Sequence, residues 1–298
     1  MIRCVLISLF FMAAVAKAQE TIEWVHAHGA ASAATPGYVL IIEEANRQQK
    51  KYNFVNVFKP GGDGKIAVDY VAERAANRLT STTGAIADGL VSGRFEQAAW
   101  LPVQGLWDVC WAAATVSKMQ PRELVIAAAS SQGSLAHYIA LGLMDKYHVD
   151  LTMVYFKSNT EGFINMAAGN GVTLAADRIK TIEDFQNRNS AIKILGLHCP
   201  QRHPKHLALP TLKELGIQLP PASVTVIAHR DMGNIKINEL RQIFESAIRA
   251  VGSDRLWDIG DLRSPVFANI APDQYHIEHM TALRLAQHKF ARELAKTK

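Results

Sequence analysis

Three hydroxyls and a glycine stand together at Ser130-Ser131-Gln132-Gly133-Ser134, with His137 three residues further on. Hydroxyl donors, free backbone amides and the positive end of a following helix can together seat a carboxylate or another anion. Ser130 or Ser131 with His137 also invites comparison with a nucleophile and its base. No G-x-S-x-G elbow surrounds either serine, and no orienting acid is identifiable, so that combination is incomplete. The remaining use is plain helix capping. Capping and anion binding both stay open at this point. A second stretch, Gly61-Gly62-Asp63-Gly64-Lys65, fails as a P-loop: position 59, where the first glycine would stand, is Lys59, and no Ser or Thr follows Lys65. As a Gly-rich turn before a helix it still suits an anion. Ser81-Thr82-Thr83-Gly84-Ala85 is a third small polar turn.

Metal chemistry has weaker support. His198-Cys199-Pro200-Gln201-Arg202-His203-Pro204-Lys205-His206 concentrates three histidines and a cysteine. The spacing matches no standard zinc site, and a solvated loop fits it better. His26 and His28 face one side of a strand, with no further ligands identifiable. Neither a metal nor a cofactor is expected. Cys110 and Cys199 sit in or at the end of apolar runs, so one disulfide and two buried thiols are both open.

The elements that must position these turns alternate between strand and helix. Thr21–Val25 alternates as a strand, and a small-residue loop from His26 to Gly37 leads into a helix over Tyr38–Lys51. Phe54–Phe58 is a second strand, and Ile66–Leu79 reads as a helix. Strands are expected over Trp107–Val116, Leu124–Ala129, Leu151–Phe156, Val172–Ala176, Ile192–Leu197 and Val224–Ala228. Leu135, Tyr138, Ile139 and Leu143 recur at helical spacing after the serine turn. Asn238–Val251 is amphipathic, and a charged helix closes the chain from about Gln274 to Lys298. Such alternation implies an α/β fold with a largely parallel sheet and ligands at the carboxyl ends of strands. Pro220-Pro221 reads as a hinge or crossing point.

The chain has 298 residues, 49% hydrophobic and 20% charged, with a formal net charge of +5. No block of five like charges occurs, which argues against a nucleic-acid footprint, while a mild positive excess suits small anions. Met1-Ile2-Arg3, the apolar run Val5–Ala16 and the Ala16-Lys17-Ala18 site have the layout of an export signal over residues 1–18. Cleavage there would leave Gln19 first and, with Arg3 and Lys17 gone, lower the net charge by two, to +3. An uncleaved anchor is the alternative. No later run is long enough to span a bilayer.

From Ser130 to His137 the chain resembles the substrate-binding proteins of tripartite tricarboxylate transporters, the Bug or TctC family, whose pattern there is S-[AS]-G-x-G-[ST]-x-x-H after a strand. Later features follow in the same order. Val149–Lys157 resembles V-D-x-x-x-V-P-Y-K, and Gly169–Asp177 resembles G-G-Q-V-D-x-x-F-D. Ile194–Arg202 followed by Pro210–Gly216 resembles L-x-x-L-A-V-T-x-x-x-R and P-T-x-x-E-x-G. Asn238–Leu256 resembles the terminal L-N-x-x-I-x-x-A-L segment. Upstream, Val57–Gly64 resembles V-x-N-R-P-G-A-G-G. The match covers most of residues 19–298. The family's first loop, P-F-x-P-G-G-x-x-D, is altered here: His28–Thr35 has Ala and Ser for the glycine pair and no Asp. Tyr155 stands for the family proline, Phe156 for the tyrosine after it, Ala176 for a bulky Phe and Arg178 for a small polar residue. Arg178 is expected either to pair with an anion or to form a surface salt bridge.

The resemblance implies a two-lobed periplasmic binding protein of the type II, Venus-flytrap kind, each lobe a mostly parallel sheet flanked by helices. Lobe one would take residues 19–105 and 224–298, and lobe two 106–223. The implied activity is capture of a small organic acid without catalysis, for the membrane subunits of a tripartite transporter, by a monomer. Ala31, Ser32, Gly61, Gly62, Thr82 and Thr83 would seat the ligand from lobe one. Ser130, Ser131, Gly133, Ser134, Phe156 and Asp177 would meet it from lobe two. A periplasmic ligand sensor or a periplasmic hydrolase are the competing classes.

Overall fold

Thr21–Val25 and Val125–Ala129 both become parallel strands, each next to the edge of a different sheet. In the computed structural model residues 19–296 are described, apart from Ala31, Ala33, Ala34, Pro200 and Asp261. The expected export signal over residues 1–18 lies outside the described residues, as does Ala31. In chain order the first elements are β1 (Glu20–His26), α1 (Thr35–Gln48), β2 (Tyr52–Phe58), α2 (Lys65–Glu73), β3 (Arg78–Ser81), α3 (Gly84–Val91) and β4 (Trp100–Val109). Then come β5 (Trp111–Thr115), β6 (Leu124–Ala129), α4 (Leu135–Tyr147), β7 (Asp150–Tyr155), α5 (Asn159–Ala167), β8 (Leu174–Arg178), α6 (Ile179–Gln186) and β9 (Lys193–His198). The chain ends with β10 (Ser223–His229), α7 (Asn234–Val251), α8 (Ser253–Gly260), β11 (Leu262–Arg263), α9 (Pro272–Lys289) and α10 (Ala291–Lys296).

Six strands in the order β11-β4-β10-β3-β1-β2 form one sheet, and five in the order β7-β6-β8-β5-β9 form the other. The fold is therefore the expected two-sheet α/β arrangement, but each sheet is mixed rather than mostly parallel. β2, β1 and β3 are parallel, as are β7, β6 and β8, while β4, β5, β9, β10 and β11 pair antiparallel. The reason lies in the crossings. β4 leaves the first sheet at the end where β10 re-enters it, with Ser223 opposite Asp108. β5 enters the second sheet at the end where β9 leaves it, with Trp111 opposite His198. Strands that share a crossing end must run in opposite directions, whereas the helix-linked βα units return to run parallel.

Two further expectations need correction. The single strand over Trp107–Val116 is two strands in different sheets, divided at Cys110. That cysteine is disulfide-bonded to Cys199, with Cα atoms 4.8 Å apart, so both crossings are tied together. The helix expected to reach Leu79 ends at Glu73, where Arg74 leaves helical geometry (φ −139°, ψ 56°), and Arg78–Ser81 becomes strand β3. Its four residues are all buried, three of them polar, so no apolar alternation announces it. Its polar groups are satisfied instead: Trp24 Nε1 donates to Ser81 Oγ at 2.8 Å, Thr80 Oγ1 donates to the Val25 carbonyl at 2.8 Å, and Arg78 pairs with Glu23 at 2.5 Å.

Each sheet buries both faces. Trp24, Tyr38, Phe54 and Phe244 pack one side of the first sheet, and Val71, Ile86, Trp100 and Phe290 the other. Tyr138 and Leu141 of α4 belong to this last cluster, so a helix of the second sheet shares a core with α9. No helix among the described residues is long and apolar enough to cross a membrane.

Candidate functional site

The serine turn is held from inside. Asn159 Oδ1 accepts from the Ser130 amide at 2.9 Å, and His137 Nδ1 accepts from the Gly133 amide at 3.0 Å. Gly133 has φ +72°, the left-handed geometry that glycine adopts without a Cβ penalty. Ser134 is the N-cap of α4, its Oγ accepting from the His137 amide at 3.4 Å. His137 is fully buried, and burial pushes its pKa down to about 4, so it is neutral with its proton on Nε2. Its bare nitrogen is committed to Gly133 and not to a serine hydroxyl, which leaves no activated nucleophile here. What the turn offers is the amides of Ser131 and Gln132 and the hydroxyls of Ser130 and Ser131, none hydrogen-bonded to a described residue.

The N-terminus of α3 comes against this turn from the first sheet. A Cβ on Gly84 would lie 3.6 Å from Ser134 Cβ, so the first turns of α3 and α4 touch. Thr83 caps α3 without spending its hydroxyl on the helix. Thr82 is pinned elsewhere: its amide donates to the Thr225 carbonyl at 2.8 Å and its Oγ1 accepts from the Thr225 amide at 2.9 Å. Gly61 and Gly62 are exposed, at φ +111° and +55°, in a turn packed beside α3. Thr83, Ser130, Ser131, Gly133 and Ser134 are thus drawn together, with Gly61 and Gly62 alongside.

The remaining expected residues are placed differently. Phe156 packs over Gly162 into the core of the second sheet. Asp177 is 4% exposed, and burial raises its pKa; Oδ2 accepts from Thr160 Oγ1 at 2.7 Å and Oδ1 from the Arg178 amide at 2.8 Å. Ser32 accepts from the Thr35 amide in a turn after β1. Arg178 is 7% exposed, so it is not a surface salt bridge. Burial lowers the pKa of His28 and raises that of Tyr38, and the Arg178 charge adds to the first shift and opposes the second.

At the end of β1, His26 and His28, singled out in the sequence only as an incomplete metal pair, belong to an aromatic stack. His26 lies between Tyr38 (centroids 4.4 Å apart) and Phe58 (5.1 Å), and His28 packs 5.2 Å from His26. Burial pushes the His26 pKa down to about 3. The available signal was the parallel β1–β2 register, which sets His26 beside Phe58. The other histidine cluster lies on a loop that is largely exposed, as expected, with Gln201, Arg202, Pro204 and Lys205 in solvent, while its histidines are tied down: His198 Nε2 donates to the Pro220 carbonyl at 2.8 Å, His203 stacks on Trp257 at 5.0 Å, and His206 pairs with Glu183 at 2.5 Å. Among the described residues no group of three could hold a metal ion.

The two facing sets of loops define the fold of two-lobed periplasmic solute-binding proteins. No family model matches the chain, and no curated protein does. Solved structures do: MatC (Rpa3494) from Rhodopseudomonas palustris, with bound malate, is 19% identical over 90% of this chain and 98% of its own, with a TM-score of 0.71. Rpa4515 of R. palustris, with adipate, is 19% identical over 93% of this chain and 97% of its own, at 0.74. A TctC solute-binding protein from Polaromonas is 13% identical over 92% and 98%, at 0.66. At these identities the likeness is one of fold.

Proposed function

We propose that this protein is a periplasmic solute-binding protein that captures a small organic acid between its two sheets for a tripartite tricarboxylate-type transporter. The contact of α3 with α4 carries this reading. Two helix N-termini, each bearing about half a positive charge, abut at Gly84 and Ser134. Their mutual repulsion is relieved by an anion seated on the free amides and hydroxyls around them. The bound malate and adipate of MatC and Rpa4515 support a carboxylate as that anion.

In this reading each sheet is the frame of one lobe, residues 19–105 and 224–298 against 106–223, with β4 carrying the first frame on to Val109. The lobes close over the ligand by hinge motion at the disulfide-tied crossings. Thr83, Gly61 and Gly62 meet the acid from one side, and Ser130, Ser131, Gly133 and Ser134 from the other. Export depends on residues 1–18, the partners are the transporter's membrane subunits, and the protein acts as a monomer without turnover.

A thermal-shift series with mono-, di- and tricarboxylates tests this. A ligand at about a hundred times its dissociation constant stabilises the fold by about 2.7 kcal/mol. Replacing Thr83 and Ser134 together by valine is expected to abolish that shift in a protein that still folds. An unchanged shift would overturn this placement of the site.

A further inference from the structure

The serine turn is gripped by α9 and α10. Gln132 offers a backbone amide to the anion seat, and its half-buried side chain donates from Nε2 to the Leu294 carbonyl of α10 at 2.7 Å. That carbonyl is among the last four of its helix, which find no partner within the helix, so the turn supplies one. Six residues are too few for a helix to hold itself in water, so α10 depends on what it docks against. Phe290, 4% exposed at the joint of α9 and α10, packs on the Tyr138 ring of α4 with centroids 6.2 Å apart, and Leu294 joins the same cluster. On the other side of the turn, Asp88 of α3 lies so close to Gly133 that a Cβ there would meet its Oδ1 at 2.1 Å, and Gln287 of α9 donates to that oxygen at 2.7 Å. The dock is incompletely filled: a pocket of about 360 Å³ opens between Glu293 of α10 and Leu141, Met144 and Met153 of α4 and β7. A short helix over such a pocket belongs to the low end of local stability.

We propose that Gln132 is a positioning residue of the anion seat and α10 the strap that holds it, so that an acid binds more tightly when α10 is docked and α10 docks more firmly when an acid is bound. The inference rests on the carboxylate reading above and adds a moving part to it. Gln132 is the element the two events share. An anion on its amide orders its backbone, while the Leu294 carbonyl orders its side chain. Whichever partner arrives first has already ordered the residue for the second, and the coupling is equal in both directions. One hydrogen bond carries it, so its size is about three- to tenfold in affinity. Gln132 lies outside α4 and Ser134 is the cap of that helix, so the Gln132 side chain does not serve α4 itself. A bond of purely structural use would lower stability when lost and leave affinity for the acid alone.

The experiment uses the full chain, with malate, adipate and citrate as probes. In calorimetric titration, Gln132→Met, which keeps the length of the side chain and loses the donor, is expected to bind about three- to tenfold more weakly than wild type. Leu294→Pro removes the amide that donates to the Phe290 carbonyl at 2.9 Å and so unseats α10. It is expected to lose the same factor, and the double variant no more than either single one. Hydrogen exchange reads the reciprocal effect on the Glu293 and Leu294 amides, both bonded to the Phe290 carbonyl. A saturating acid is expected to slow them by that same factor in wild type and to leave them unchanged in Gln132→Met. Affinities within about twofold of wild type in both variants, additive losses in the double variant, or α10 exchange indifferent to a bound acid would each overturn the inference and leave the carboxylate reading standing. Folded wild-type protein that binds no acid overturns both. Should Leu294→Pro not fold, Gln132→Met and the exchange measurement decide alone.

Discussion

The two rims of the cleft are made of opposite materials. The serine turn of the second sheet uses backbone amides, small hydroxyls and a helix end, with its one large group, His137, tucked beneath. The β1 end of the first sheet uses stacked rings, with two histidines, a tyrosine and a phenylalanine in mutual contact. The first rim is general: any anion of suitable size meets dipoles and hydroxyls. The second is a packed cluster: its rings are fixed by one another. The two features belong to different sheets, and substitutions separate their effects.

Tyr38→Ala gives the largest expected effect, because the stacked rim is also core. Tyr38 is fully buried against Trp24, His26 and His28. Its truncation is expected to cost about 3–5 kcal/mol in denaturant-induced unfolding, as for other large aromatic truncations. A loss under about 1 kcal/mol would show that this rim is a surface feature and break the contrast. Next comes Gly84→Val, which pushes methyl groups into the 3.6 Å contact between α3 and Ser134. Acid binding is expected to fall by about a hundredfold, roughly 2.7 kcal/mol, with the melting temperature little changed, since Gly84 is exposed at a helix start. Binding within about threefold of wild type would place the anion elsewhere.

These differences track what could be read in the sequence. The serine turn was legible because its chemistry is local: strand, bend, hydroxyls and helix lie within sixteen residues, Val125–Ala140. The alternation of strands and helices was legible for the same reason. The stack was not, because His26 and Phe58 meet only through strand register. Strand β3 was hidden by its polar side chains, whose partners Glu23, Trp24 and Val25 lie more than fifty positions away. The split at Cys110 was hidden because one continuous apolar run serves two sheets in turn. The mixed strand directions follow from where the chain crosses between sheets, which no local pattern encodes.

Acid is expected to weaken both rims through their buried histidines. The folded pKa falls to about 3 for His26 and about 4 for His137, and His28 is lowered as well. Above pH 6.5 these rings are neutral in both folded and unfolded chains. Between 6.5 and the depressed folded values, only the unfolded chain takes up the proton, so stability falls as pH falls through that window. Each such histidine contributes up to about 1.4 kcal/mol per pH unit, and His276 (about 4) and His279 (about 3) on α9 add to the same slope. Urea midpoints at pH 7.5 and 5.5 measure it. A flat profile would mean that the imidazoles reach water. His26→Phe, which keeps the stack, should flatten the slope by about one proton's worth.

Ser131→Ala is expected to do least, and its smallness is informative. The Ser131 hydroxyl makes no hydrogen bond with a described residue, and the side chain caps nothing, so its removal should change stability by no more than about 0.5 kcal/mol. In the anion seat it is one donor among several, so affinity for the acid should drop by only about three- to tenfold, the worth of a single hydrogen bond. A larger stability loss would mean that the turn is built around this hydroxyl and is a cap rather than a seat. A hydroxyl serving as a nucleophile would leave binding intact and remove a turnover instead. The geometry opposes that outcome, since His137 spends its acceptor on the Gly133 amide. A partial loss of affinity with stability unchanged would make Ser131 one donor of a seat that the backbone amides and the helix end share.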